Sequence, residues 1–311
     1  MIHHVYANRS NIGDWLSARG IQSLLGCPVV EHLCDQPYVD DTLVALQKID
    51  ADDMVVIGGG GLLMDYFEPF WQGLLRLSSS PRYCIWGVGY CDLKREPSRP
   101  PVELIRQVIA NSECCFVRDE LTRQHLAECE LQTPVACPSV AVLTPRDDAI
   151  RGVLHVDNYT TAGPPAFEFM NSSGQAFARS SGRPFNRTNN RLESVSDTNL
   201  ARVLDLYHRS DIVLSSALHG CVIGAALGKK VLAVSGDYKI EAFMHAAGWD
   251  EWVLDIADVA SVPMKLETIA RQVDIGNFLS TTRDANAAIA ETILNRAGLS
   301  HTFNASGRGT P

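Results

Sequence analysis

The run Met54-Val55-Val56-Ile57 is wholly apolar and stops at four consecutive glycines, Gly58, Gly59, Gly60 and Gly61. No polar residue alternates within it, so both of its faces must be covered, as in a buried strand of a parallel sheet. The pattern recurs. Cys84-Ile85-Trp86 ends at Gly87-Val88-Gly89, and Cys114-Cys115-Phe116-Val117 ends at Arg118-Asp119. Residues 2–6, 152–156, 211–214 and 230–234 read the same way. Between these runs lie amphipathic or apolar stretches of helical period at 15–25, 102–110, 200–207, 218–227 and 240–247, and an Ala-rich closing helix is expected at 281–297. Asn11 or Asp14 is available to cap the first helix. Such alternation predicts an α/β fold with parallel sheets and helices on both faces, its ligands held at the carboxyl ends of the strands. The Pro- and Asp-bearing stretch 134–148 separates two sets of units. The expected domains are residues 1–145 and 146–311, both Rossmann-like, the second carrying the closing helix. The Gly/Ser/Thr-rich tail, 304–311, reads as frayed.

At 311 residues the chain is long enough for two such cores. A net charge of −9 with no run of Lys or Arg argues against non-specific nucleic-acid binding, so an anionic ligand must be met by a few local cations and backbone donors. The N-terminus lacks the pattern of a signal peptide, and no stretch approaches the roughly 20 apolar residues of a membrane span. The nine cysteines are odd in number and form no C-x-x-C pair, which points to reduced core thiols in a cytoplasmic protein rather than a metal site or a disulfide framework. The glycine turn after Ile57 either cradles a phosphate through backbone N–H groups or simply turns tightly into a helix. It is followed by no P-loop lysine and does not fit the dinucleotide fingerprint, which weakens the case for both chemistries.

Residues 171–190 break the alternation. They are rich in Ser, Gly and Asn, and Arg179, Arg183, Arg187 and Arg191 recur four apart, with Gly182 and Pro184 against a continuous helix. A solvated surface loop is expected, with a basic flap over an anionic ligand as the functional alternative. Tyr66, Phe67, Phe70 and Trp71 are read as packing between helix and sheet in preference to a stacking surface for a sugar.

Taken in order, the turns resemble the polysaccharide pyruvyltransferase family. The resemblance rests on Asn11-Ile12-Gly13-Asp14, Ile57-Gly58-Gly59-Gly60-Gly61-Leu62 and Trp86-Gly87-Val88-Gly89. It continues through Val117-Arg118-Asp119-Glu120-Leu121-Thr122, Cys137-Pro138-Ser139-Val140-Ala141, Ser215-Ser216-Ala217-Leu218-His219-Gly220 and Tyr238-Lys239-Ile240. It implies two Rossmann-like lobes similar to the GT-B glycosyltransferases. The implied reaction moves pyruvate from phosphoenolpyruvate onto two hydroxyls of a sugar in a polysaccharide or its lipid-linked precursor, with no cofactor or metal. Such an enzyme would work in the cytoplasm, touching the inner face of the membrane at most peripherally. A GT-B glycosyltransferase with a nucleotide-sugar donor is the alternative, and a sugar- or anion-binding protein without turnover a third reading.

That reaction needs a proton for the methylene carbon, an acceptor for the hydroxyl proton, and cations for the carboxylate and phosphate of the donor. His219 is the first choice for acid–base work, since an imidazole gives and takes protons near neutral pH. Asp14 is the second, either as a base or acceptor ligand or merely as a helix cap. Arg118 is expected to fork onto the donor's anionic groups, or else to pair with Asp119 or Glu120. Lys239, Gly59, Gly60 and Gly220 are further donor-binding candidates. Many family members carry Arg where this chain has Ala217. Arg183 or Arg187 from the basic segment is expected to replace that charge.

Overall fold

A computed structural model describes residues 1–96, 101–129, 131–145, 151–158 and 162–299 of the chain. The frayed tail expected at 304–311 lies outside the described residues, as does part of the expected boundary.

The first lobe runs β1 (Ile2–Tyr6), α1 (Ile12–Leu25), β2 (Val29–Leu33), α2 (Val39–Leu46), β3 (Met54–Gly60), α3 (Glu68–Leu75), β4 (Arg82–Val88), α4 (Val102–Ala110), β5 (Cys114–Val117) and α5 (Glu120–His125). Its strands form one parallel sheet in the order β2-β1-β3-β4-β5. All seven residues of β3 are buried. A fully buried Val or Ile contributes about 1.5–3 kcal/mol, which favours the unbroken apolar run over an alternating one. The strand carries on through three of the four glycines instead of stopping at the first.

The second lobe runs β6 (Val153–Val156), α6 (Pro164–Ser180), β7 (Phe185–Thr188), α7 (Asp197–His208), β8 (Ile212–Ser215), α8 (Leu218–Ala226), β9 (Lys230–Ser235), α9 (Tyr238–Ala246), β10 (Val253–Asp255) and α10 (Val262–Thr268). Its parallel sheet has the order β10-β9-β8-β6-β7. The surface loop expected at 171–190 is corrected here. Its first half lies in α6 and its second half contains β7. Gly182, at φ 67°, and Pro184 lie beyond the last residue of α6, so they end a helix instead of interrupting one.

The closing helix α11 (Gly276–Arg296) spans both lobes. Leu279 packs into the core of the second lobe, whereas Ile289, Ala290 and Ile293 pack with Ile2, Ile21, Met54 and Trp86 of the first. Asn286 fixes the crossing: it accepts from Trp86 Nε1 at 3.0 Å and donates to the Ala136 carbonyl at 3.0 Å. Two short antiparallel bridges also stitch the lobes together. Asn11 pairs with Arg191, where Ile12 N donates to Asn190 O at 3.0 Å and Leu192 N to Ser10 O at 2.7 Å. Leu93 pairs with Asp237, where Lys94 N donates to Gly236 O at 3.0 Å and Tyr238 N to Asp92 O at 3.1 Å. Among the described residues no helix is long and apolar enough to cross a membrane.

Candidate active site

The carboxyl ends of both sheets face each other across a cavity of about 310 Å³. Ala7 beyond β1, Gly61 beyond β3 and Arg118 beyond β5 line it from the first lobe. Asp157 beyond β6, Ala217 and His219 beyond β8 and Lys239 beyond β9 line it from the second. Asn11, Asp14, Cys91, Asn158, Asn189, Asn190 and Arg191 complete its polar wall, and Met64 and Phe67 form an apolar side.

Asn11 is the cap of α1: its side chain accepts from Gly13 N at 3.0 Å. Asp14 is therefore released from capping and stands at the cavity. A Cβ on Gly60 (φ 102°) would lie 2.4 Å from Asp14 Oδ1, so only glycine leaves room for the carboxylate there. Burial pushes the Asp14 carboxyl up to about 7, even though Lys239, Arg118 and Arg191 pull it down. His219, in the first turn of α8, lies directly over Gly13. A Cβ on Gly13 would come within 2.1 Å of Nδ1 and 2.2 Å of Cγ of the ring, which gives the glycine of the Asn11–Asp14 turn its reason. Burial, then the cations Arg118 and Lys239, lowers His219 to about 3, so the imidazole is neutral near pH 7.

Arg118 is 5% exposed, held by Asp119 at 2.8 Å and by the Tyr90 carbonyl at 3.1 Å. Its pairing with Asp119 is thus real, yet the guanidinium still lines the cavity. Lys239 is half-buried, with Nζ 2.7 Å from Asp237 and 3.1 Å from Cys91 Sγ. Burial alone would lower it, but the Cys91 thiol and Asp237 outweigh that and hold the ammonium above its ordinary range.

The structure thus brings His219, Asp14, Arg118 and Lys239 to one cavity. It does not bring Gly59, Gly60 or Gly220 to the lining. Gly59 and Gly60 pack against α1 at Ser17 and Asp14, and Gly220 is buried against Ser215 and Val156. The expectation for Arg183 and Arg187 is also corrected. Arg183 pairs with Asp211 at 3.3 Å, at the amino-terminal end of β8, away from the strand ends that face the cavity. Arg187 lies over the Phe167 ring and pairs with Asp157 at 3.3 Å, without reaching the lining itself. The arginine of the four-apart series that does line the cavity is Arg191, placed by its bridge to Asn11. The sequence signal for it was the series itself; the choice among its members depends on pairing between lobes. Asn190, at φ 57° and 4% exposed, was also missed. Its side-chain oxygen accepts from Tyr207 at 2.9 Å. Of the aromatic cluster, Phe70 and Trp71 are core residues, Phe67 lines the cavity and Tyr66 is exposed. All nine cysteines are thiols. Among the described residues no group of three His, Cys, Asp or Glu is placed to hold a metal ion.

Solved structures share this architecture at low identity. The S. aureus MnaA–UDP structure is 8% identical with a TM-score of 0.62, over 96% of this chain and 97% of that one. The glycotransferase of kitacinnamycin is 11% identical with a TM-score of 0.53, over 95% and 98%. The UDP-GlcNAc 2-epimerase of Methanocaldococcus jannaschii is 10% identical with a TM-score of 0.52, over 93% and 99%. At such identities the likeness establishes the two-lobed GT-B-like fold alone. No curated protein sequence matches the chain. The sequence pattern of one family does, over residues 10–238, a span that takes in Asn11 through Tyr238 and so all but Lys239 of the four gathered side chains; the chain belongs to the polysaccharide pyruvyl transferase family.

Proposed function

We propose that the protein transfers the pyruvyl group of phosphoenolpyruvate to two hydroxyls of a glycan sugar, forming a ketal and releasing phosphate, with no cofactor. The observation that carries this reading is the convergence of three cations, Arg118, Lys239 and Arg191, with two proton-exchanging groups, Asp14 and His219, on one cavity. A donor bearing both a carboxylate and a phosphate needs that cationic wall. Arg191 supplies the charge that Ala217 lacks.

Proton addition to the donor's methylene carbon leaves C2 electron-poor, and a first sugar hydroxyl attacks it while losing its proton. Phosphate then departs, and a second hydroxyl closes the ring. One hydroxyl proton replaces the proton given to carbon, and the other leaves with phosphate. Asp14 and His219, whose environments push them in opposite directions, suit this exchange. With its pKa near 7, Asp14 is both a competent acid and a competent base at neutral pH. His219 starts neutral and is ready to accept. A bound anion offsets Arg118 and Lys239, which lets His219 hold the proton it takes. On this reading the sugar lies along Asn158, Asn189 and Asn190, with Met64 and Phe67 against its C–H face. Its glycan is free or lipid-linked, met in the cytoplasm or at the inner membrane face.

A nucleotide-sugar donor is the second reading, favoured by the likeness to the MnaA–UDP structure. Incubation with phosphoenolpyruvate, or with nucleotide sugars, over a panel of glycan acceptors separates the two. Acceptor-dependent phosphate release and a ketal in the product support pyruvyl transfer; nucleoside diphosphate release with no phosphate overturns it.

A further inference from the structure

The turn Cys137-Pro138-Ser139-Val140-Ala141 and Ser17 of α1 contribute no cavity-lining side chain to the chemistry above, yet Cys137 and Ser17 meet His219 from behind. Ser17, fully buried on α1, has its Oγ 2.8 Å from the Gly13 carbonyl, 2.8 Å from Cys137 Sγ and 3.3 Å from His219 Nε2. Cys137, 1% exposed, has its sulfur 3.5 Å from the same ring nitrogen. A serine hydroxyl has one proton. On a helix it goes to the carbonyl four residues back, here Gly13 at 2.8 Å. The oxygen can then only accept, from the Cys137 thiol and from His219 Nε2.

We infer that Ser17, backed by Cys137, is a positioning residue that holds the His219 proton on Nε2 and so leaves Nδ1 as the ring's acceptor. The converse, with the Cys137 thiol donating to a bare Nε2, would use the longest of these contacts and forfeit one of the two shortest. The tautomer of a histidine is set by the partner of its other nitrogen. Here that partner lies on the opposite lobe, so the acceptor nitrogen is defined only while α1 and α8 remain in contact. The role in turnover rests on the pyruvyl-transfer reading, but the proton's location does not.

The test is nitrogen NMR of protein labelled at histidine, with the His219 signals assigned by their loss in His219→Gln. The wild type should show a protonated Nε2 and a bare Nδ1 from pH 5 to 8. Ser17→Ala, which keeps a good helix former in α1, removes the acceptor and frees the Cys137 thiol to donate to Nε2. The Nδ1–H form should then become substantial, and Ser17→Ala/Cys137→Ala should leave a mixture. In turnover, Ser17→Ala should lower kcat about 10- to 100-fold with the KM for phosphoenolpyruvate within about 2-fold, a split typical of a partner that orients a histidine. A wild-type Nδ1–H ring, or a Ser17→Ala protein with an unchanged tautomer, overturns the inference whether or not pyruvyl transfer is observed. An altered tautomer with unchanged kcat overturns the role in turnover.

Discussion

Gly13→Ala tests the contact between the lobes at His219. Gly13 sits in the first turn of α1 with a helical backbone, so alanine there is intrinsically favourable by about 0.5–1 kcal/mol. The new methyl, however, would fall 2.1 Å from His219 Nδ1 and 2.2 Å from Cγ. Carbon contacts settle at roughly 3.5–4 Å, so the ring must retreat by more than about 1 Å. Rotation into the cavity of about 310 Å³ can relieve the ring contacts but not the one at 2.7 Å to His219 Cβ, so the backbone of α8 must shift as well. The chain should still fold, but overpacking of about 1–3 kcal/mol outweighs the propensity gain and should lower the melting temperature by roughly 2–8 °C. The acid–base group, displaced by that distance, should lose about 100-fold in kcat. Acceptor-dependent phosphate release, thermal melting and the His219 nitrogen spectrum measure the three consequences. A Gly13→Ala enzyme within 3-fold of wild-type kcat would refute the placement of the reacting proton on His219, since a ring so displaced cannot serve the same geometry.

Arg191→Ala should raise the KM for phosphoenolpyruvate about 10-fold, the effect of losing one charge-assisted contact, while Arg183→Ala, held by Asp211 away from the cavity, should leave it unchanged. Initial rates against donor concentration decide this. Asp14→Asn should stabilise the protein more at pH 8 than at pH 5. The folded carboxyl, raised to about 7, binds its proton where the unfolded one has released it, so the cost of ionising it in the fold is felt as pH rises through 7 and is absent below the unfolded value. Thermal melts of both proteins at the two pH values measure the difference, and an equal shift at both would show that the carboxyl is not raised. Donor binding should draw a proton onto His219 at pH 5, where Asp14 is already protonated, as the ligand offsets Arg118 and Lys239. Calorimetry in two buffers of different ionisation enthalpy should show less proton uptake for His219→Gln than for the wild type. Lys94→Met breaks the ion pairs with Glu241 and Asp255 that tie the loop after β4 to the second lobe. Because the carboxylates are partly exposed, about 1 kcal/mol and a fall of about 2–4 °C in Tm are expected.

What could be read from the sequence, and what could not, follows from where each residue finds its partners. The inner strands β3, β4, β8 and β9 were legible because burial on both faces leaves an unbroken apolar run. The edge strand β2 was missed: it carries Glu31 and His32 and none of its residues is buried, so it has no such signature. The edge strand β7 was lost for the same reason inside a segment read as a loop, and β10 is only three residues long. Arg118, His219 and Lys239 were legible because the family resemblance singled out their turns, and each follows a strand within its own βα unit, where ligands of such sheets are held. Arg191 was not, since its place depends on a bridge to Asn11 in the other lobe. The raised carboxyl of Asp14 was not legible either, because it depends on closure of the cavity over a residue that local sequence would assign to capping. Gly13 joins the two cases. Within its own unit it is an unremarkable glycine in a first helical turn, and nothing local demands it, since alanine would make the better helix. Its requirement comes from a histidine in the opposite lobe, whose ring and Cβ leave no room for a methyl there, so the glycine can be accounted for only once the two lobes are in contact.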